Sequence, residues 1–100
     1  MKFLEKLQLI ERVDALIKRK ATGSAKELAS RLNLSRRCVY DIINIMKSMS
    51  APIEYCKQRS TYYYEYPCDL MIGFVNKNQI RGGISNIFEK NIWSANFLHN

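Results

Sequence analysis

Between Ser24 and Ser35 the chain starts a helix, stops it and starts another. Ser24-Ala25-Lys26-Glu27 is a capping box: a serine hydroxyl accepts from the third helical amide, and the glutamate at that position reaches back. Leu28 and Leu32 then lie on one side of a short helix, Ala25 to Leu32. Ala29 is small enough to let a crossing helix come close. Asn33 tolerates left-handed dihedrals and ends the helix. Leu34 returns to the core, and Ser35 caps the next helix through its hydroxyl. This punctuation confines the segment to two helices joined by a tight turn.

The helix opened by Ser35 runs to Met49 and has two unlike sides. At about 100° per residue, Val39, Ile42, Ile43, Met46 and Met49 gather on one broad side, with Cys38 and Ile45 at its edge. Arg36, Arg37, Tyr40, Asn44 and Lys47 fall on the other. The first side must be buried; the second carries three cations, a phenol and an amide. Two arginines at a helix N-terminus face the partial positive charge of that end. An anion from outside the chain relieves this, either a phosphate or a guanine edge.

A first helix is expected over residues 3–20, where Leu7, Ile10, Val13, Leu16 and Ile17 recur at helical spacing. Its acids precede Lys18-Arg19-Lys20, in the sense the helix dipole favours. That basic cluster is either a solvated last turn or a phosphate contact. Ala21-Thr22-Gly23 ends the helix, with Gly23 as the natural left-handed residue. Net charge sharpens the picture. It is +7 overall, of which residues 1–66 carry +6 and residues 67–100 only +1. A basic surface of this kind suits a polyanion, and it also serves solubility.

The run from Leu28 to Ile42 closely resembles the helix-turn-helix of bacterial winged-helix regulators, especially the DeoR-like and WYL-type N-terminal domains. Ala29, Asn33, Val39 and Ile42 occupy that family's alanine, turn and apolar positions. Ser35-Arg36-Arg37 before Val39-Tyr40 is similar to its Ser-x-Arg-Thr-Val/Ile opening, with Cys38 in place of threonine. Ala51-Pro52-Ile53-Glu54-Tyr55 looks like the entry to the wing. Pro52 ends helical structure, and Ile53–Tyr55 and Thr61–Tyr66 have strand composition around the polar turn Cys56–Ser60. The chain departs from the family twice: Ser50 and Thr61 stand where it usually has glycines. The resemblance covers about residues 5–66. It implies an α+β fold, a winged helix-turn-helix of three helices plus a two-stranded β-hairpin wing, followed by a short C-terminal extension.

From Pro67 onward the resemblance stops, so residues 1–66 are read as the binding domain and 67–100 as an apolar extension. Leu70 to Val75 suggests a short buried strand, and Ile84, Ile87, Phe88 and Ile92 have helical spacing. So apolar a tail either packs on the domain or meets a second copy. Cys38, Cys56 and Cys68 show no CxxC pairing, and the single histidine is His99. No metal site, cofactor or small-molecule effector is expected, and the odd cysteine count suits a reducing cytoplasm. No run is long enough to span a bilayer. Ser35 has no nearby histidine or glycine-rich elbow, so catalysis is not expected.

The expected function is sequence-specific binding of double-stranded DNA, in transcriptional regulation, by a helix lying in the major groove. Arg36 and Arg37 suit guanine or phosphate, and Asn44 suits adenine or phosphate. Tyr40 suits a thymine methyl or a phosphate; Lys47 joins the same surface. Asp41 either accepts from cytosine or orients Arg37. Lys57 and Arg59 at the hairpin tip would enter a minor groove or bind its rim. Ser24, Lys26 and Ser35 stand at helix N-termini suited to phosphate. A module of this size buries limited surface, which argues for a homodimer formed through the first helix or the tail. Two other uses of the fold stay open: a protein-interaction module and an RNA-binding winged helix.

Overall fold

The computed structural model describes residues 1–76. Among them, three helices, α1 (Phe3–Lys18), α2 (Ala25–Leu32) and α3 (Arg36–Ser48), precede two strands, β1 (Ile53–Cys56) and β2 (Thr61–Tyr64). The strands pair antiparallel, with Ile53 opposite Tyr64 and Cys56 opposite Thr61. This is the winged helix-turn-helix architecture, α+β.

The helices share one core because each offers a single apolar stripe. Ile10, Val13 and Ile17 of α1 meet Leu28 and Leu32 of α2 and Val39, Ile42, Ile43 and Met46 of α3, all buried. Ile53 and Tyr62 bring the hairpin into it. Met49, expected on this side, is 45% exposed because α3 stops at Ser48 and the chain turns away.

These three helices end in the same way. The residue in left-handed conformation is Lys20 after α1 (φ 53°), Asn33 after α2 (φ 58°) and Ser50 after α3 (φ 76°). In each case the next amide reaches back five residues: Ala21 to Leu16 O at 3.0 Å, Leu34 to Ala29 O at 2.8 Å, Ala51 to Met46 O at 3.0 Å. This is the Schellman arrangement, which satisfies carbonyls that a helix end leaves open. The expected run of α1 to residue 20 is therefore corrected, and Lys20 rather than Gly23 is its left-handed residue. Gly23 is also left-handed (φ 71°), for a different reason: a Cβ there would lie 2.9 Å from the Glu27 Cβ. Its bareness lets the turn close against the capping box.

A buried carboxylate joins α1 to the wing. Asp14 is 8% exposed. The Tyr64 hydroxyl donates to its Oδ1 at 2.6 Å, and Lys18 Nζ lies 3.5 Å from Oδ2. Burial, then the hydrogen bond to Asp14 and its charge, push the Tyr64 phenol well above its ordinary value.

β2 ends at Tyr64 rather than at Tyr66. Glu65 N–H still donates to Pro52 O at 2.8 Å, but proline has no amide to return the bond. The strand expected over residues 70–75 is absent. Gly73 at φ 137° interrupts the extended run, and Phe74 is 93% exposed. By compactness the chain divides into Met1–Cys68 and Asp69–Asn100. The helical spacing from Ile84 onward lies outside the described residues.

Three substitutions and a titration test this account. Ser50→Gly should stabilise the protein by about 1 kcal/mol, because a left-handed L-residue is strained; Gly23→Ala should destabilise it by about as much or more, measured by urea unfolding. Tyr64→Phe should cost about 1–3 kcal/mol by leaving part of a buried carboxylate unpaired. The raised Tyr64 pKa gives stability that is full below the unfolded phenol's value near 10.0 and lost as pH rises through the folded one. Ultraviolet titration should find Tyr64 ionising well above pH 10.0 and together with unfolding.

Candidate nucleic-acid interface

The buried side chains of α3 decide what the helix shows to solvent. With Val39, Ile42, Ile43 and Met46 inward, Arg37 and Asn44 lie at the middle of the exposed arc. Arg36, Tyr40 and Lys47 form one flank, and all five are exposed. Ser35 caps the helix as expected, its hydroxyl accepting from Cys38 N–H at 3.1 Å. The first turn holds no acidic residue. Among the described residues neither Arg36 nor Arg37 forms an ion pair. Asp41 is exposed within the same arc and does not pair with Arg37, so the orienting role considered for it is corrected.

The flank with Tyr40 meets the wing. Tyr55 and Tyr62 pack with ring centroids 4.8 Å apart at 59°. Burial pushes the Tyr62 phenol up, and the neighbouring phenols of Tyr40 and Tyr55 push the same way. Three phenols thus gather where α3 meets the hairpin, with Tyr40 49% and Tyr55 39% exposed. Sequence reasoning chose Tyr40 and missed Tyr55. The signal was present: a four-residue turn after Cys56 makes Tyr55 and Tyr62 cross-strand partners.

Lys57 and Arg59 stand exposed on the turn between the strands. Its tight conformation falls on Ser60 (φ 49°), which lets Thr61 enter the strand and become 3% exposed. Arg59 also faces Lys20 across a depression of about 300 Å³, lined by Cys56, Gln58, Thr61 and Tyr63 as well.

At the start of α2, Glu27 N–H donates to the Ser24 hydroxyl at 3.2 Å, and Ser24 N–H donates to Glu27 Oε1 at 3.1 Å. Those bonds, the one from the Ser24 amide first, hold the Glu27 carboxyl below its ordinary pKa. Ser24 therefore keeps only its hydroxyl proton for an outside acceptor. Lys26, exposed in the first turn of the helix, is the cation of this end. Cys38, Cys56 and Cys68 are free thiols, and no metal-binding group of side chains occurs among the described residues. No helix among them is long and apolar enough to cross a membrane.

The model of the E2-factor/DP family winged-helix DNA-binding domain matches residues 1–64, ending where β2 ends. The chain belongs to the E2-factor/DP winged-helix family. Its activity is sequence-specific DNA binding, in transcription regulation. The motif's resemblance to DeoR-like and WYL-type regulators is corrected to this extent: the winged helix-turn-helix and DNA binding stand, and the bacterial subtype does not. Comparison with curated proteins and with solved structures returned no match.

The Glu27 shift sets a pH dependence. A lowered pKa gives stability that is present above the unfolded value of 4.5 and lost as pH falls through the folded value. The difference in Tm between the wild type and Glu27→Ala should be widest at neutral pH. It should narrow steadily below pH 4.5.

Proposed function

We propose that α3 lies in the major groove, with Arg37 and Asn44 on base edges and Arg36, Tyr40 and Lys47 along one backbone. Ser35 fixes where that helix begins. Arg37 takes guanine through its forked donors, and Asn44 takes adenine. Lys57 and Arg59 hold the backbone or minor-groove rim beside the wing, and Lys26 with the Ser24 hydroxyl meets a phosphate at the start of α2. The observation that carries this assignment is the pair of exposed, unpaired arginines in a first turn without acids. The positive end of the helix opposes them, and a nucleic acid supplies the missing negative charge.

A single winged helix buries only about 600–1,000 Å² on DNA, which is small for tight specific binding. We infer that two copies occupy adjacent half-sites. Phe3 and Leu4, 71% and 69% exposed on α1, offer apolar surface for that pairing. The free thiols fit a reducing compartment, which we take to be the cytoplasm.

Duplexes selected from a random pool, then titrated at several salt concentrations, test this reading. Arg37→Ala should cost about 1–3 kcal/mol against the selected duplex and relax the preference at one base pair. Lys57→Ala should weaken every duplex alike and lower the salt slope by about 1. Equal losses on all sequences from both changes would refute the division between base reading and backbone holding. The same titration, followed by sedimentation, should show two chains per selected duplex.

A further inference from the structure

Two buried hydroxyls tie the wing to the turn ahead of α2. Thr22 is 0% exposed and Thr61 3%. Thr22 Oγ1 accepts the Tyr62 N–H at 2.9 Å. It also lies 2.9 Å from Gly23 O, to which it donates, and 3.1 Å from Thr61 Oγ1. Thr61 Oγ1 is in turn 3.1 Å from Tyr62 O. Two hydroxyls have two protons for these three contacts. With the Thr22 proton on Gly23 O, the single Thr61 proton serves either Thr22 Oγ1 or Tyr62 O, so one of those two 3.1 Å contacts carries no proton. One edge of β2 pairs with β1, and the outward Tyr62 amide of the other edge bonds to a side chain. Thr22 thus does for β2 what the carbonyl of a third strand would do.

The placement of this bond matters. Asp14 holds Tyr64 at the base of β2, and Thr22 holds Tyr62 and Thr61 nearer the tip. Two attachments fix the direction of the hairpin; with one removed, the hairpin pivots on the other. Gly23 and the capped start of α2 follow Thr22 directly. The same hydroxyl therefore couples the wing to the N-terminus of α2.

We propose that Thr22 is a positioning residue for duplex binding. Its hydroxyl sets the angle of the wing against α2, so that Lys57 and Arg59 reach one DNA backbone in register with Lys26. The inference rests on the duplex reading given above. Thr22→Val keeps the shape and loses the acceptor; Thr22→Ser keeps the hydroxyl.

The test has two readouts on the full chain. The first, without DNA, is the set of residual dipolar couplings of the backbone amides. In the wild type, helices and hairpin should fit one alignment frame. In Thr22→Val the hairpin should require its own frame while β1–β2 pairing persists, and Thr22→Ser should restore the common one. The second is the salt dependence of duplex binding. Thr22→Val should lower the slope of log K against log salt by about 1–2, the loss of one or two phosphates. The ratio between the selected duplex and a single mismatch should stay within about twofold, because α3 is untouched. Thr61→Val, which spares the Tyr62 bond, should shift both readouts less and in the same direction, and it serves if Thr22→Val does not fold. A common frame retained in the valine variants, an unchanged salt slope, or failure of serine to restore would each overturn the proposal. Absence of duplex binding by the wild type would overturn the duplex reading, and with it the assigned role of Thr22 in binding. The couplings would then still decide whether Thr22 sets the wing angle.

Discussion

The rotation of α3 about its own axis governs the rest of the molecule. Val39, Ile42, Ile43 and Met46 are each 2–3% exposed, and burying such side chains contributes roughly 1.5–3 kcal/mol apiece. Turning the helix by one residue position toward the flank of Arg36, Tyr40 and Lys47 would expose several of them and bury those three instead. An unpaired buried guanidinium is far more costly than any surface contact it gains. The core therefore decides which polar side chains face outward, Asp41 as well as Arg36, Arg37, Tyr40, Asn44 and Lys47. Ser35 and Ser50 set the length of this rigid element, one by capping its start and the other by turning the chain after its end.

How much of this the sequence disclosed follows from the range of each interaction. The capping box at Ser24, the cap at Ser35 and the stop at Asn33 are contacts within a few residues, and all three stand where the sequence places them. The α1 end was misplaced because Gly23 is the obvious left-handed candidate. Lys20 takes that conformation instead, held by bonds to Leu16 and Ile17 and relieved by no side-chain preference of its own. Ser50 shows the same thing: a missing glycine changed the strain at the turn and left its geometry intact. Composition alone suggested a strand at Leu70–Val75, and composition cannot supply a partner edge.

The attachments of the wing were illegible for the opposite reason. Asp14 reads as one more charge on an amphipathic helix, and nothing nearby marks it as buried. Its partner Tyr64 is fifty residues away, and Thr22 is forty from Tyr62. Such pairs exist only once the core has brought α1 and the hairpin together. Once formed they are short and enclosed, with a carboxylate accepting at 2.6 Å and a hydroxyl accepting at 2.9 Å. A two-stranded hairpin is marginal by itself in water. Side-chain bonds to the helical body, together with the burial of Ile53 and Tyr62, attach this one to the core.

The charge pattern of α3 extends the argument from fold to binding. Arg36 and Arg37 in the first turn oppose the helix dipole, an arrangement that costs the free protein roughly 0.3–1 kcal/mol for each charge. An acid beside them would remove that cost and would also occupy the donors that a base or phosphate needs. Asp41 sits one turn away in the same arc, exposed and unpaired with Arg37. It repels phosphate where it stands, so the middle of the arc favours a base edge over the backbone. The flank of Arg36, Tyr40 and Lys47 carries no acid and favours the backbone. On the proposed reading, the single carboxylate of this helix divides it into a centre that reads and a side that holds.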